Sequence, residues 1–191
     1  MRLNRTLLVS SSAAGARTVR ELLPARDYAP VIVAASGTEA RRLCAGSEFD
    51  LVIINTPLSD EFGQELASGI SADSAAGVLL LVRGEQADEI AAQVEPAGVF
   101  VIPKPVSRPF FFQAIRLAAV SGRRMAGLLE QNRRLQAALE ESRLVSRAKC
   151  ALIQCRLMTE PQAHRLIEKR AMDRRIPKRQ AAEEILQELE M

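Results

Sequence analysis

The sequence contains few of the residues from which binding and catalytic sites are commonly built. Only 4% of its 191 residues are aromatic and Trp is missing, which argues against a surface of aromatic base-stacking platforms. The single histidine, His164, has no second imidazole to share a metal with, and Cys44, Cys150 and Cys155 lack disulfide or zinc-motif spacing. We therefore expect reduced thiols, and we predict no metal site and no cofactor.

No apolar stretch approaches the length that spans a bilayer, so we expect a cytoplasmic protein without a membrane partner.

Charge is distributed unevenly along the chain. Residues 1–120 carry 11 Lys and Arg against 13 Asp and Glu, whereas residues 121–191 carry 15 against 10. A basic second part suggests a surface that faces nucleic acid, although a solvated helical surface is an open alternative on charge alone. The sequence offers neither a nucleophile paired with a base nor a glycine-rich phosphate loop, so we do not expect an enzyme.

Five short apolar runs recur in the first 105 residues, at 6–10, 30–36, 49–55, 77–82 and 98–103. They are rich in Val, Ile and Leu and do not alternate with polar residues, which is typical of parallel strands covered on both faces. Segments of helical period separate them. This pattern predicts a doubly wound α/β domain with a five-stranded parallel sheet, whose functional groups gather beyond the carboxyl ends of the strands.

The five βα units of residues 5–120 resemble the receiver domain of two-component response regulators, which has a CheY-like, flavodoxin-like fold. In that family two acids follow the first strand, an Asp ends the third and takes a phosphoryl group, a Ser or Thr ends the fourth, and Lys-Pro follows the fifth. Lys104-Pro105 matches, but the acids and the hydroxyl do not, because a neutral amide and hydroxyls replace the carboxylates that would bind Mg²⁺ and accept phosphate. The degenerate phosphorylation site comprises Ser10, Ser11, Asn55, Val82 and Lys104. We therefore predict a pseudo-receiver, a domain of receiver fold that is not phosphorylated on aspartate.

Long polar side chains dominate after the predicted helix at 108–120, which carries three consecutive Phe residues expected to make core or dimer contacts. A heptad seam follows, at spacings of 3, 4, 3, 4 and 3, formed by Met125, Leu128, Asn132, Leu135, Leu139 and Ser142. We predict dimerisation through a parallel coiled coil at Met125, Leu128, Asn132, Leu135 and Leu139, since a lone Asn at such a seam favours a two-stranded register. An amphipathic helix lying on its own domain would show similar spacing.

Residues 148–186 resemble the ANTAR domain, a three-helix RNA-binding module of transcription antiterminators. The positions that match are Ala148-Lys149, Leu152, Met158-Thr159-Glu160, Ala163, Ala171-Met172 and Ala182, and those that depart are Cys150, His164, Lys178 and Ala181. Thr159 and Gln162 form a capping box, with Pro161 in the first helical turn. One predicted apolar stripe comprises Ala163, Leu166, Ile167, Ala171 and Met172, and a second, after the break at Pro177, comprises Ala181, Ala182, Ile185, Leu186 and Leu189.

Basic residues should remain exposed on this module, mostly around Pro177. The predicted RNA-binding residues are Lys149, Lys169, Arg170, Arg174, Arg175, Lys178 and Arg179. Guanidinium groups pair bidentately with phosphate and stack on unpaired bases, which suits an RNA hairpin. The predicted domains are a pseudo-receiver at 1–120, a coiled-coil linker helix at 121–145 and an ANTAR domain at 146–191.

Two functional hypotheses follow. The resemblance implies an antiterminator of the amidase and nitrate type, which binds leader-RNA hairpins as a homodimer and whose first domain is controlled through its surface, for instance by a ligand-sensing regulatory protein. The alternative is a protein-interaction adaptor of a signalling pathway that binds no RNA and whose basic helices dock an acidic partner. A steep loss of binding with salt would favour RNA.

Overall fold

The computed structural model describes residues 5–24 and 26–190. The chain divides into two compact units, residues 1–129 and residues 130–191. A helix of 49 residues, α5 (Arg108–Arg156), contributes to both units, and the point where they divide lies within it. The predicted helix at 108–120 and the heptad seam are therefore parts of one helix, and the predicted linker at 121–145 lies wholly inside it.

The first unit contains a five-stranded parallel sheet with the strand order β2-β1-β3-β4-β5. The strands are β1 (Thr6–Ser10), β2 (Val31–Ala34), β3 (Leu51–Asn55), β4 (Gly77–Arg83) and β5 (Val99–Lys104). The helices before α5 are α1 (Ala13–Leu22), α2 (Gly37–Gly46), α3 (Gln64–Asp73) and α4 (Ala87–Val94). This topology confirms the predicted CheY-like doubly wound fold.

Both faces of the sheet are covered, which explains why the central positions of its strands are largely apolar and why most of the polar residues stand at the strand ends. Alternate side chains of each strand enter two separate cores, so that Ile54 packs in the core that Leu66 of α3 joins, whereas Ile53 packs in the core of α1 and α5. Phe111 of α5 is fully buried in the latter core, while its neighbours Phe110 and Phe112 are exposed. One Phe of the three thus makes a core contact.

Two glycines let α5 lie directly against the start of β4. A Cβ atom at Gly122 would stand 2.6 Å from the carbonyl oxygen of Ala75 and 2.8 Å from the amide nitrogen of Gly77. A Cβ atom at Gly77 would stand 2.2 Å from the carbonyl oxygen of Ala118. Gly122 lies inside α5, and its missing side chain leaves room for the backbone at the start of the neighbouring strand.

A distant carboxylate caps α2. Asp60, in the loop after β3, accepts hydrogen bonds from the backbone amides of Gly37 and Thr38, both at 2.9 Å, and from the Thr38 hydroxyl at 2.8 Å. These donors lower the pKa of Asp60 from 3.8 to about 2. Because the folded pKa is depressed, the cap stabilises the fold fully above the unfolded pKa and is lost as the pH falls towards 2. Asp60 thus has a structural role.

The second unit is a three-helix bundle built from the end of α5, α6 (Glu160–Arg174) and α7 (Lys178–Glu190). Its core consists of Ala148, Leu152, Ala163, Ile167, Ala171, Ala181, Ala182 and Ile185, with Leu186 and Leu189 packed against it. The amide of Thr159 donates to Gln162 Oε1 at 2.9 Å, which confirms the predicted capping box at the start of α6. The predicted inner face of α7 is confirmed as well.

The prediction that Met172 belongs to the inner stripe of α6 is wrong, since its side chain is 77% exposed. Ala163, Ile167 and Ala171 follow one another at four-residue steps along the buried face. At about 100° per residue, Met172 lies nine residues from Ala163 and hence about 180° around the helix from it.

No helix in the described part of the chain is both long and apolar enough to cross a membrane.

Candidate nucleic-acid interface and receiver-type site

The receiver-type site lies where β1, β3 and β5 end, and a chain of hydrogen bonds links its polar side chains. Lys104 Nζ donates to Asn55 Oδ1 at 2.9 Å and to the carbonyl oxygen of Thr56. Asn55 Nδ2 donates to Ser10 Oγ at 3.1 Å, and Ser10 Oγ donates to the carbonyl oxygen of Ser12 at 3.2 Å. The amide of Asn55 thus uses both of its ends, one as acceptor and one as donor.

The remaining residues of this site lie outside that chain of hydrogen bonds. Ser11 Oγ donates to the carbonyl oxygen of Pro57 at 3.0 Å, and Val82 is fully buried in the core beneath the sheet edge. Gly15 closes the site from α1, because a Cβ atom there would stand 2.7 Å from Asn55 Nδ2. The structure therefore brings together Ser10, Asn55 and Lys104 of the five predicted residues.

None of the five residues of this site is a carboxylate, so none of them neutralises the ammonium group of Lys104. Burial lowers the pKa of Lys104, and the nearby charge of Arg83 lowers it further. Neither partner of the Lys104 ammonium, an amide oxygen and a carbonyl oxygen, carries a compensating charge. Among the described residues, no group of three His, Cys, Asp or Glu side chains is placed to hold a metal ion.

The seven predicted RNA-binding residues all lie in the second unit, and five of them pair with carboxylates. The pairs are Lys149–Glu160 at 2.7 Å, Arg170–Glu188 at 2.7 Å, Arg174–Glu184 at 2.5 Å, Lys178–Glu168 at 2.7 Å and Arg179–Glu183 at 3.0 Å. The pairs of Arg170 and Arg174 join α6 to α7, so these charges have a part in holding the bundle together. The side chains of Arg174, Lys178 and Arg179 are 60%, 47% and 49% exposed, where ion pairs contribute little to stability, whereas those of Lys149 and Arg170 are only 22% and 21% exposed.

Lys169 and Arg175 are exposed and have no carboxylate partner among the described residues. Arg175 ends α6 in the left-handed conformation, at φ 53°, immediately before the turn that leads to Pro177. Four further exposed cations of this unit are also without a carboxylate partner in the described chain and are missing from the predicted set: Arg143, Arg147, Arg165 and Arg133. Helical period could have found the first two, because α5 carries them opposite its buried Ala148 and Leu152.

A polar cleft of about 400 Å³ lies within the second unit, between α5, α6 and α7. Its lining includes Ser142, Ser146, Lys149, His164 and Lys178, so it brings two of the predicted cations together. His164 Nε2 lies 3.3 Å from Glu168 Oε1, while His164 Nδ1 is buried and makes no hydrogen bond with the part of the chain that the structure describes. The cleft can therefore offer hydrogen-bonding groups to a ligand.

The heptad seam on α5 is exposed in the single chain. Met125 is 48% exposed and Leu135 is 64% exposed, and Leu128, Asn132 and Leu139 are exposed as well. Large apolar side chains at heptad spacing with this exposure are typical of a helix face that another helix covers.

Comparison with known proteins agrees with both halves of this architecture. The ANTAR domain family matches residues 133–186. Solved structures similar to the first unit include the signal receiver domain of an HD domain-containing protein from Pseudomonas fluorescens Pf-5, at 25% identity and a TM-score of 0.59 over 66% of this chain and 94% of that chain. A structure of adenylate cyclase from Rhodopirellula baltica has a TM-score of 0.61 at 19% identity over 69% of this chain and 98% of that chain, which shows a shared fold alone. A receiver fold joined to an ANTAR domain defines a class of transcriptional regulators.

Among curated proteins, the chain is 31% identical to the transcriptional regulatory protein PdtaR of Mycobacterium tuberculosis strain H37Rv over 185 residues. The match covers 97% of this chain and 90% of that protein, and the counterpart from strain CDC 1551 matches equally. The chain belongs to the family of ANTAR-domain transcriptional regulators with a receiver-like first domain, to which PdtaR belongs.

Proposed function

We propose that this protein is a cytoplasmic transcription antitermination regulator, which binds hairpins in nascent leader mRNA through its C-terminal bundle. The observation that carries the proposal is the coincidence of the ANTAR match at 133–186 with a folded three-helix bundle whose surface holds cations without carboxylate partners. By holding a leader hairpin, such a protein would prevent the RNA from refolding into a terminator.

The ion pairs of the bundle are compatible with RNA binding. Because exposed ion pairs contribute little to stability, a phosphate can replace the carboxylate at little cost, most readily at the more exposed Arg174, Lys178 and Arg179. Lys169 and Arg175 need no such exchange. Arg175 stands at a tight turn between two helices, where its guanidinium can pair bidentately with a phosphate or stack on an unpaired base. The proposed RNA-binding residues thus divide into two free cations and five that exchange partners.

We also propose that the protein acts as a dimer. The exposed seam of Met125, Leu128, Asn132, Leu135 and Leu139 supports a parallel coiled coil within a linker at 121–145, which would hold two ANTAR domains at 146–191. Two linked modules raise the affinity for an RNA with two hairpins without any new contact, provided both sites can be reached together.

Binding of leader RNA tests this proposal. We expect an RNA with two tandem hairpins to bind at least about tenfold more tightly than either hairpin alone, because the second contact is intramolecular. The logarithm of the affinity should fall against the logarithm of salt concentration with a slope of about −0.7 for each phosphate contacted. Fluorescence anisotropy between low and physiological salt measures both quantities. Absence of binding to every stem-loop offered would favour the adaptor hypothesis instead.

Residues 1–120, which lie within the first unit, are proposed to form a pseudo-receiver that regulates through surface contacts, for instance with a ligand-sensing protein. Asn55 supports this proposal, since its amide is no carboxylate nucleophile and is held by Lys104 and Ser10. Incubation with acetyl phosphate and Mg²⁺ is expected to leave the intact mass unchanged. Stoichiometric addition of a phosphoryl group would contradict the pseudo-receiver and leave the RNA proposal standing.

A further inference from the structure

Two cations lie side by side at the carboxyl edge of the sheet. Arg83, the last residue of β4, and Lys104, the last residue of β5, are direct partners in the register of these parallel strands. Like charges opposite each other on neighbouring strands destabilise a sheet. The mutual proximity of these two is also evident in the lowered pKa of Lys104, to which burial contributes most and Arg83 next.

Neither cation is neutralised within the described chain. Arg83 is exposed and has no carboxylate partner among residues 5–24 and 26–190. Lys104 spends two of its three N–H donors on neutral oxygens, those of Asn55 and Thr56, which leaves one donor for a ligand. Arg83 retains all five donors of its guanidinium. The edge of the sheet therefore has unused donors and an uncompensated positive charge.

Arg83 and Lys104 both line one cleft of about 470 Å³, together with Gly84, Glu85 and Pro105. The cleft lies beyond the carboxyl ends of β4 and β5, the edge at which open α/β sheets commonly bind their ligands. Glu85 is the acid of this lining, and it is exposed without an ion pair to either cation. The cleft therefore offers both room and positive charge to a ligand at this edge of the sheet.

We propose that this cleft is a non-covalent binding site for a phosphate group, supplied either as inorganic phosphate or as the monoester of a small metabolite. A phosphate dianion would neutralise both cations, accepting a bidentate pair from the Arg83 guanidinium and one hydrogen bond from Lys104. The volume exceeds that of a single oxyanion and leaves room for a small organic group. No covalent bond forms or breaks, so the site needs neither a carboxylate nucleophile nor Mg²⁺.

Amide NMR spectra of the full-length chain, titrated with inorganic phosphate or glycerol 3-phosphate, test this site. Sodium chloride at equal ionic strength serves as the reference titration. We expect saturable shifts at the amides of Arg83, Gly84, Glu85 and Lys104. Tighter binding of glycerol 3-phosphate than of inorganic phosphate would identify a monoester as the ligand, and equal binding would identify free phosphate.

Single-site variants test whether the phosphate binds at Arg83. Arg83→Gln should weaken phosphate binding about tenfold, as expected when a charge-assisted bidentate contact is lost. Arg42→Gln, which removes another exposed arginine from α2, outside the cleft, should change nothing. Glu85→Gln should strengthen binding about two- to threefold, because it removes the competing negative charge.

Unchanged phosphate binding in Arg83→Gln would overturn the proposal, as would shifts confined to the basic helices of the second unit. Arg83 is exposed at a strand end, so its replacement should leave the fold intact, and the dispersion of the same spectra verifies this. The outcome is independent of RNA binding, since the cleft lies wholly within the first unit.

Discussion

Joint replacement of Arg174 and Arg175 by alanine is expected to lower the affinity for a leader hairpin by more than tenfold, or about 1.4 kcal/mol. Arg175 is exposed, unpaired and held at the turn that ends α6, so its guanidinium is available to phosphate or to an unpaired base. Arg174 is 60% exposed in its side chain and pairs with Glu184 across to α7. Its removal also leaves that carboxylate unpaired, which repels RNA. Fluorescence anisotropy at fixed salt measures the loss.

Two controls separate this effect from charge in general. Joint Arg133→Ala and Arg134→Ala removes the same charge from neighbouring exposed arginines on α5, outside the turn, and should cost much less. Asn55→Ala, which breaks the hydrogen-bond chain of the first unit, should leave RNA binding within about threefold of wild type. Equal, small losses from the paired arginine change and from Asn55→Ala would refute the assignment of the RNA surface.

Introducing a single methyl group at Gly122 is expected to destabilise the first unit by about 1–2 kcal/mol. The new Cβ atom of Gly122→Ala would meet backbone atoms of Ala75 and Gly77, which cannot rotate aside as a side chain could. Overpacking of this kind costs about 1–3 kcal/mol, and the better helix propensity of alanine offsets about 1 kcal/mol at most. The midpoint of urea unfolding, followed by circular dichroism, should therefore fall.

Gly127→Ala is the matched control in the same helix. Gly127 is exposed, and a Cβ atom there would meet nothing within 4 Å. The same chemical change should thus stabilise the protein by about 0.5–1 kcal/mol through helix propensity alone. Stabilisation by Gly122→Ala of the same size as by Gly127→Ala would mean that α5 does not lie against the start of β4.

Some features of the degenerate site can be predicted from local sequence. Asn55 ends a continuous apolar strand and Lys104 precedes a proline, so their places at the sheet edge follow from strand pattern and the parallel topology. Their mutual hydrogen bond does not follow, because it joins residues 49 positions apart. Arg83 lies beside Lys104 because β4 and β5 pair in this register, which the sequence does not show. Arg83 is therefore missing from the site that was predicted from the sequence.

The basic surface of the second unit is likewise only partly predictable from the sequence. Composition identifies the cations of residues 121–191, but it cannot tell which of them a carboxylate neutralises. Which cations are neutralised depends on how α6 and α7 pack. For example, Arg170 Nη1 lies 2.7 Å from Glu188 Oε1 only because the two helices are in contact. Lys169 and Arg175 are distinguished from their neighbours only by this packing.

The sequence alone determined the order of strands and helices, the absence of acids from the strand ends, the capping box at Thr159 and the period of the α5 seam. These features repeat or terminate within a few residues, so helix and strand geometry suffices to interpret them. The tertiary structure decided which cations are free and that Gly122 lies within a helix against a strand. Each of these depends on where two distant elements meet in space, and local periodicity carries no information about that distance.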